Sequence, residues 1–457
     1  MSNISTKLIE EAIYNLCFKA NTCLNNDVYS KIHNAYLNAK NEEEKNFLKA
    51  ILQNAKIAYD KKLPLCQDTG QVIVFIKIGQ NVNLEGEYIE TVINRAVENC
   101  YKENFFRKSV VKNSIFDRQN TTTNTPAIIY NRIVEGDKIE IKVLIKGAGS
   151  ENKSHQSMQL PTTNKEELIK TIGDLILSTK MNSCPPMFIG IGIGATAEKS
   201  LLLSKKALTD DNLTKEELLI SEEIKKYVND KNTTPLKNSY VLDVKTLTTS
   251  THIACMPVGI TINCHSDRYS KCTIENNTIK YNHTKPDFVE IENDNTSIKR
   301  LNTNDIEQIK ALKIGENILL SGEIYVARDM AHKRLSQMKE MPINLKDKII
   351  FYAGPCPNKP NEIIGSIGPT TAGRMDKFAI DFYNKGLLAT IGKGERNTKV
   401  QEAIQKNNAK YFTVIGGIAA LLAEKITAKE IIAFEDLGAE ALYRLTIKDL
   451  PIKVELG

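Results

Sequence analysis

The chain has 457 residues, of which 41% are hydrophobic and 25% are charged, and its formal net charge is +6. This length predicts two or three domains, and the composition is typical of a globular protein. The charge is small for the size, and the basic residues are interleaved with acidic ones. This pattern argues against a nucleic-acid partner but leaves room for a local cationic pocket that binds a small anion.

The sequence also argues against a secreted or membrane protein. The first residues, MSNISTKLIEEAIYNL, contain two glutamates and lack the apolar core of a signal peptide, and no run approaches the roughly 18 apolar residues of a membrane span. The nine cysteines include no Cys-x-x-Cys pair, and a chain of this size does not need disulfides for stability. We therefore expect a reducing, cytoplasmic location and no contact with a membrane.

The first hundred residues are predicted to form helices. The first helix has an apolar face made of Leu8, Ile9, Ala12, Ile13 and Leu16. Asn41 and Glu44 resemble a capping box that opens a second helix. A third helix has an apolar face made of Ile89, Val92, Ile93, Ala96, Val97 and Cys100.

Strands dominate the pattern that follows. QVIVFIKIG is strand-like, DKIEIKVLIKG alternates between isoleucine or valine and charged residues, and MFIGIGIG leads into the helical segment AEKSLLLSKKAL. Residues 282–297 are polar and contain a proline, which predicts a linker. Beyond it, KIIFYAG, LLATIG, YFTVIGG and EIIAFED alternate with short helical segments. The predicted fold class is α/β, with a mixed α+β N-terminal domain over residues 1–281 and a smaller α/β C-terminal domain over 298–457.

Three cysteines lie where predicted strands meet loops: Cys66 in PLCQDTG, Cys184 in NSCPPMFIGIGIGAT and Cys264 in ITINCHSDR. A single cysteine is more often a small buried hydrophobic residue than a ligand. These three, however, have polar or proline-rich neighbours, whereas Cys17 and Cys100 lie in apolar stripes. We interpret the latter two, together with Cys255, as packing residues.

Two other kinds of site are possible from the residues alone. Zinc could be held by Cys255, Cys264, His265 and Cys272, although their spacing lacks the short Cys-x-x-Cys pair of structural zinc sites. The glycines in GIGIGATAEKSLLL weakly resemble a dinucleotide-binding loop, with Ala197 in the final glycine position. An NAD-dependent oxidoreductase and a cluster-bearing electron carrier are therefore the alternatives from other functional classes.

Seven ordered motifs resemble those of the class I, iron–sulfur fumarate hydratases, whose close relatives include L-tartrate dehydratases: PLCQDTG, KGAGSENK, NSCPPMFIGIGIG, THIACMPVGITINCHSDR, YVARDMAHKRL, GPCP and GPTTAGRMD. The resemblance implies a hydro-lyase of the tricarboxylic acid cycle that interconverts (S)-malate with fumarate and water. L-Tartrate and mesaconate are the alternative substrates. The resemblance also implies that α and β parts, which are separate chains in many relatives, are fused here, and that the protein is a homodimer.

The resemblance further implies a 4Fe–4S cluster bound by Cys66, Cys184 and Cys264. Such a cluster normally takes four thiolates, so three of them leave one iron open for the substrate, as in an open catalytic zinc site. A Lewis acid in that position can bind both a carboxylate and the departing hydroxyl of malate.

The acid–base residues implied by the resemblance are Thr370, Asp68 and His252. Thr370 would be the base that acts on malate, and Asp68 would support it because a threonine hydroxyl is too weakly acidic to act without a neighbouring carboxylate. Thr371 would contact the substrate and also serve as the N-cap of a helix.

The remaining implied residues bind the dicarboxylate substrate. The cationic ones are Arg107, Arg328, Arg374 and Lys393, since guanidinium groups can hold carboxylates by two parallel hydrogen bonds. Further polar contacts would come from Gln67, Gly149, Asn152, Lys153, Ser154 and Gln156. Ala148 stands where a third glycine is common in the family, and its methyl group is expected to narrow the pocket or shift the loop.

Overall fold

The computed structural model describes residues 2–291 and 298–457 and divides into two units. The N-terminal unit comprises Met1–Lys62 and Asp68–Phe288, and the C-terminal unit comprises Leu63–Gln67 and Val289–Gly457. The chain therefore passes from one unit to the other within 282–297, the predicted linker, of which residues 292–297 lie outside the described part. The short segment Leu63–Gln67, which we call the cysteine strip, belongs to the C-terminal unit although its neighbours in sequence belong to the other.

The N-terminal unit opens with a four-residue strand, Ser2–Ser5, and the predicted helices follow it. Its helices are α1 (Thr6–Thr22), α2 (Asn26–Leu37), α3 (Glu42–Lys61), α4 (Ile89–Glu103), α5 (Ala148–Glu151), α6 (Lys165–Leu177), α7 (Ala197–Ala207) and α8 (Lys215–Lys231). Asn41 caps α3, and its side chain accepts the Glu44 N–H at 2.8 Å. The carboxylate of Glu44, however, accepts the N–H of Lys40 and the hydroxyl of Ser239, so the reciprocal bond of the predicted capping box is replaced by a tertiary contact.

The strands of this unit are β1 (Ser2–Ser5), β2 (Gln71–Gly79), β3 (Val82–Glu85), β4 (Ile128–Val134), β5 (Ile139–Lys146), β6 (His155–Gln159), β7 (Met187–Ala195), β8 (Val241–Thr251), β9 (Met256–Asn263), β10 (Tyr269–Glu275) and β11 (Thr278–Tyr281). One sheet has the order β11-β10-β5-β2-β4, and another has the order β6-β9-β7-β8. The apolar faces of α1 and α4 pack on the first sheet, and those of α6 and α8 pack on the second. These two cores hold the strand ends that carry the candidate residues.

The glycines of MFIGIGIG serve packing. A Cβ atom at Gly190 or Gly192 would collide with the backbone carbonyls of Ser204 and Ser200, because α7 lies directly against β7. The alternating glycines therefore allow a close approach of helix to strand, which explains the weak resemblance to a dinucleotide-binding loop.

The C-terminal unit has the predicted alternation of strands and helices. Its elements are β12 (Lys299–Asn302), α9 (Ile306–Lys310), β13 (Asn317–Val326), α10 (Asp329–Gln337), β14 (Ile349–Phe351), α11 (Asp376–Asn384), β15 (Ala389–Gly392), α12 (Thr398–Lys406), β16 (Lys410–Thr413), α13 (Ala419–Ala423), β17 (Ile426–Ala433) and β18 (Leu442–Leu456). The strand order is β12-β13-β14-β15-β16-β18-β17, and β18 also pairs with β13, so five of the strands close into a ring. The α/β prediction is confirmed.

In the part of the chain that the structure describes, every helix is too short or too polar to cross a bilayer.

Candidate active site

Cys184 and Cys264 are brought together by the second sheet of the N-terminal unit. Cys184 ends a 3₁₀ turn in the left-handed conformation, with φ of 56°, immediately before β7, and Cys264 directly follows β9. These strands are antiparallel neighbours, with Phe188 opposite Asn263, so the start of one meets the end of the other. The N–H of His265 donates to the carbonyl of Cys184 at 3.4 Å, and both cysteines are half-buried.

Cys66 is held on the cysteine strip by hydrogen bonds within the C-terminal unit. The Ser366 hydroxyl donates to the carbonyl of Pro64 at 2.6 Å, and the Ala419 N–H donates to that of Leu65 at 3.3 Å. The thiol of Cys356 donates to the carbonyl of Gln67 at 3.5 Å. The strip is thus fixed by residues about 300 positions later in the chain.

Gln67 connects this strip to the segment that carries Thr370. Its side-chain Nε2 donates to the Pro369 carbonyl at 3.2 Å, and its side-chain Oε1 accepts a hydrogen bond from the thiol of Cys66 at 3.4 Å. A Cβ atom at Gly368 would collide with the Gln67 amide, so a larger residue there would force this side chain to move. The residue after a predicted ligand and the residue before the predicted base are therefore in contact within one unit.

We expect Ser366→Ala to loosen the strip. The substitution leaves the buried Pro64 carbonyl without its donor, which costs about 1–3 kcal/mol of unfolding free energy. If Cys66 binds the predicted cluster, the substitution should also speed the loss of its visible absorption when a chelator is added in air. Ser270→Ala is a matched control, because the equally buried Ser270 donates to the Leu16 carbonyl at 2.7 Å inside the N-terminal core. The control should lower stability comparably and leave cluster lifetime unchanged. Equal cluster lifetimes in the two variants would contradict this role for Ser366.

Several remaining cysteines lie in the core. Burial raises the pKa of the thiols of Cys17 and Cys100 well above the usual range and raises that of Cys272 to about 12, which disfavours the thiolate that binds iron. Cys255 differs from the prediction, because it is half-buried in the turn between β8 and β9 and not in the core. Within the described residues of either unit, no three His, Cys, Asp or Glu side chains lie close enough to hold a metal, so the alternative zinc set is not assembled.

Asp68 lies where β2 and β5 meet. These strands are antiparallel with Gln71 opposite Lys146, so the residues before β2 approach those after β5. The carboxylate of Asp68 accepts the Ala148 N–H at 2.8 Å and the Gly70 N–H at 3.1 Å, and it lies 3.6 Å from the guanidinium of Arg107.

Electrostatics keep Asp68 ionised. Burial alone would raise the pKa of this carboxyl, but Arg107, Arg268 and the two N–H donors together hold it below its usual value. Arg268 also donates to the Asp68 carbonyl at 2.6 Å. We did not predict a role for Arg268; the signal was its place four residues after Cys264 in NCHSDR.

The KGAGSENK segment forms α5 and the turn after it. Gly149, Asn152 and Gln156 are exposed, and Lys153 and Ser154 are half-buried. The methyl group of Ala148 points to an exposed position, and the contact to Asp68 uses its backbone N–H, which glycine would supply equally. The neighbouring Lys146 was also missed by the sequence analysis.

Lys146 is buried and ties this segment to β9. Its ammonium group donates to the Ser150 hydroxyl at 3.1 Å and to the carbonyl of Ile262, two residues before Cys264. Burial lowers the pKa of Lys146 to about 7. The segment and the cysteine loop are therefore held at a fixed separation in this unit.

His252 is exposed in the turn between β8 and β9. The Ala254 N–H donates to its Nδ1 at 3.1 Å, so the neutral ring carries its proton on Nε2. This turn lies at the start of β9, whereas Cys264 follows its end, and the role of His252 stays a prediction.

Thr370 is fixed between the ends of β14 and β15. Its N–H donates to the Tyr352 carbonyl at 2.7 Å, and its carbonyl accepts the Lys393 N–H at 3.2 Å. Nη1 of Arg374 donates to the Thr370 hydroxyl at 3.1 Å. Thr371 is the N-cap residue of a 3₁₀ turn, as predicted, but its side chain makes no capping hydrogen bond.

Arg328 lies at the N-terminus of α10, with its side chain 12% exposed. Its guanidinium is 3.3 Å from the carboxylate of Glu440 and 3.8 Å from that of Asp329. Its carbonyl accepts a hydrogen bond at 2.9 Å from Nδ1 of His332, a fully buried ring stacked on Phe382.

Asp68 belongs to the other unit, so its pairing with Thr370 also stays a prediction.

We expect His332 to make the C-terminal unit less stable in acid. Burial lowers the pKa of its imidazole to about 4, against 6.5 for an exposed histidine. Between these values the unfolded chain binds a proton that the folded unit does not, so the free energy of unfolding falls by roughly 1.4 kcal/mol per pH unit from this group. Denaturant midpoints of wild type and His332→Gln from pH 7 to 4 would measure this, and equal slopes would contradict it.

The chain matches known families along nearly its whole length. Residues 10–273 match the family described as fumarate hydratase (fumerase), and residues 272–456 match the family described as fumarase C-terminus. The chain is 29% identical to the class I, anaerobic fumarate hydratase of Escherichia coli, over 98% of this chain and 87% of that protein. It is 30% identical to the mitochondrial fumarate hydratase 1 of Leishmania major, over 88% and 79%, and 30% identical to the class I, aerobic fumarate hydratase of Salmonella typhimurium, over 90% and 76%.

The two family matches show that this chain contains both parts of a fumarase, the part matched by residues 10–273 and the C-terminal part matched by residues 272–456. The chain belongs to the class I fumarate hydratase family.

Proposed function

We propose that this chain performs its reaction at a 4Fe–4S cluster bound by Cys66, Cys184 and Cys264. Membership of the family makes it a hydro-lyase that interconverts (S)-malate with fumarate and water. The observation that supports the proposed site best is the Gln67–Pro369 hydrogen bond, which links the strip carrying Cys66 to the segment carrying Thr370. An active site that eliminates water from malate needs a cluster ligand and a catalytic base close to each other, and this contact lies between the neighbours of Cys66 and Thr370.

Two of the three proposed ligands, Cys184 and Cys264, have features that suit an iron–sulfur cluster. Cys184 and Cys264 meet at neighbouring strand ends and are half-buried, unlike the core thiols whose protons are held by burial. When bound, the cluster supplies a Lewis-acidic iron for a carboxylate and the hydroxyl of malate. With three thiolates, the fourth iron has no cysteine ligand.

Thr370 is the proposed base, and its Oγ takes the proton from the carbon next to the malate carboxylate. The cationic Arg374, which donates to this oxygen at 3.1 Å, stabilises the alkoxide more than the alcohol. Asp68, kept ionised by Arg107 and Arg268, supplies the carboxylate that receives the threonine proton. His252 is proposed as a further catalytic residue on the family resemblance alone, because its turn between β8 and β9 lies at the other end of β9 from Cys264.

The substrate carboxylates are proposed to bind to Arg107, Arg328, Arg374, Lys393 and Thr371. Further polar contacts are proposed from Gln67 and from the exposed or half-buried residues of the KGAGSENK segment and the turn after it: Gly149, Asn152, Lys153, Ser154 and Gln156. These four cations offer several N–H donors for two carboxylates, and three of them, Arg107, Arg328 and Arg374, also pair with carboxylates of the protein.

The test is anaerobic reconstitution with iron, sulfide and thiol, followed by assays with (S)-malate, L-tartrate and mesaconate. We expect visible cluster absorption and fastest turnover of (S)-malate, lost in air and restored by ferrous iron with thiol. Faster turnover of L-tartrate or mesaconate would reassign the substrate. Stable activity through aerobic dialysis against a chelator would overturn the open-iron proposal, and a nicotinamide spectral change on adding malate would point to an oxidoreductase.

We extend the proposal to the assembly and its setting: a cytoplasmic homodimer that serves the tricarboxylic acid cycle. The support is the family resemblance and the malate–fumarate reaction itself. Light scattering of the reconstituted protein would measure the mass, and a monomeric mass at micromolar concentration would contradict the dimer.

A further inference from the structure

The side of the Arg374 guanidinium that would best grip a carboxylate is already occupied. Its Nε donates to Oδ1 of Asp329 at 2.9 Å, and its Nη2 donates to Oδ2 of the same carboxylate. This is the two-bond arrangement that we predicted for the substrate. The third contact, from Nη1, goes to the hydroxyl of Thr370.

Asp329 is itself held in place. It is the first residue of α10, where a carboxylate interacts favourably with the helix dipole, and the Arg328 guanidinium lies 3.8 Å from it. The following N–H, of Met330, donates to the carboxylate of Glu440 at 3.0 Å. Burial alone would raise the pKa of Asp329, but Arg374 and Arg328 together lower it, so the carboxylate is ionised when Arg374 binds.

We propose that Asp329 is a positioning residue, which holds Arg374 so that Nη1 points at the Thr370 hydroxyl. The inference rests on the proposed role of Thr370 as the base. A guanidinium has five N–H groups, and three are used here, so two remain for a substrate carboxylate. Arg374 then has two roles, and the one that depends on Asp329 is its contact with the Thr370 hydroxyl.

This arrangement predicts which kinetic constant depends on Asp329. Without the fork, the Arg374 side chain, which is 46% exposed, can turn away from Thr370. The loss falls on proton transfer more than on binding, because the substrate still meets Arg107, Arg328 and Lys393. The kcat should therefore fall with little change in KM.

The experiment compares Asp329→Asn with a matched control, Asp436→Asn. Asp436 also accepts two hydrogen bonds from one guanidinium, that of Arg334 on α10, in this case from Nη1 at 2.7 Å and from Nη2. Neither residue is among those proposed for the site. We expect Asp329→Asn to keep the cluster absorption and lower kcat at least 30-fold with KM changed less than threefold. Asp436→Asn should match wild type within twofold.

Two further variants separate a positioning role from a merely structural one. Adding Asp329→Asn to Thr370→Ala should cause little further loss, and Asp329→Glu, which keeps the charge, should recover part of kcat. A kcat within twofold of wild type for Asp329→Asn, or a loss fully additive with Thr370→Ala, would overturn the proposal. If the wild-type protein does not hydrate fumarate, the proposed function is wrong, and a crystal structure of Asp329→Asn then tests the inference about Asp329 separately. A hydrogen bond from Arg374 to Thr370 that persists in this variant would refute the inference. Loss of that hydrogen bond would support it.

Discussion

Replacing Cys66, Cys184 or Cys264 by serine is expected to abolish both the visible absorption of the cluster and all hydratase activity. A neutral hydroxyl is a poor ligand for iron, and a cluster left with two thiolates should not persist. Absorption spectra and malate turnover after anaerobic reconstitution measure both effects. This is the largest effect that we expect from any single substitution.

Cys17→Ser and Cys100→Ser are the matched controls for the cluster ligands. Both thiols are fully buried in the N-terminal core, where burial raises the pKa and favours packing over iron binding. These variants should keep the cluster and the activity while losing some stability. Full activity in Cys184→Ser, or loss of the cluster in Cys100→Ser, would refute the proposed ligand set.

Thr370→Ala should keep the fold and the cluster but lower the rate of malate dehydration by roughly 10²–10⁴-fold, as expected when a general base is removed. Asp68→Asn should have nearly the same effect, because the alkoxide cannot form without an acceptor for its proton. Cluster absorption verifies loading, and steady-state kinetics with (S)-malate measure the loss.

The double variant tests whether the two residues act as one unit. If Asp68 accepts the proton of Thr370, the double variant should dehydrate malate almost as fast as either single variant, because each single substitution already abolishes the same proton transfer. If the two losses multiply, the residues work independently. A nearly active Thr370→Ala would make the threonine structural and leave His252 as the base to test next.

The periodicity of the sequence predicts the elements well. The stripe that includes Ile9 and Leu16 is the buried face of α1, and the alternation from Ile139 is β5. Such patterns are local, since each helix or strand turns one face to a core whatever partner supplies that core. The cap of α3 at Asn41 is local for the same reason, whereas the carboxylate of Glu44 was diverted by Ser239, which is 195 residues away.

The site is less predictable from the sequence because its contacts are long-range. Asp329 follows Arg328 in YVARD, yet nothing in that motif reveals that its carboxylate occupies the fork of Arg374, 45 residues later. The Thr371 side-chain cap failed because a threonine before a turn can cap it only if the side chain faces the free N–H groups. Motifs thus identify candidate residues, and the fold decides which group each one contacts.

The cysteine strip has a consequence for biosynthesis. Pro64 and its hydrogen-bond donor Ser366 are 302 residues apart, and ribosomes add roughly 5–20 residues per second, so roughly 15–60 s separate their synthesis. During that time, the nascent chain contains Cys66 but lacks Ser366, whose hydrogen bond to Pro64 holds the cysteine strip in place. Iron delivered to the ribosome-bound chain would meet Cys184 and Cys264 well before the strip could be fixed. Assembly of the proposed cluster should therefore wait until Ser366 has been made and the C-terminal unit has folded around Cys66.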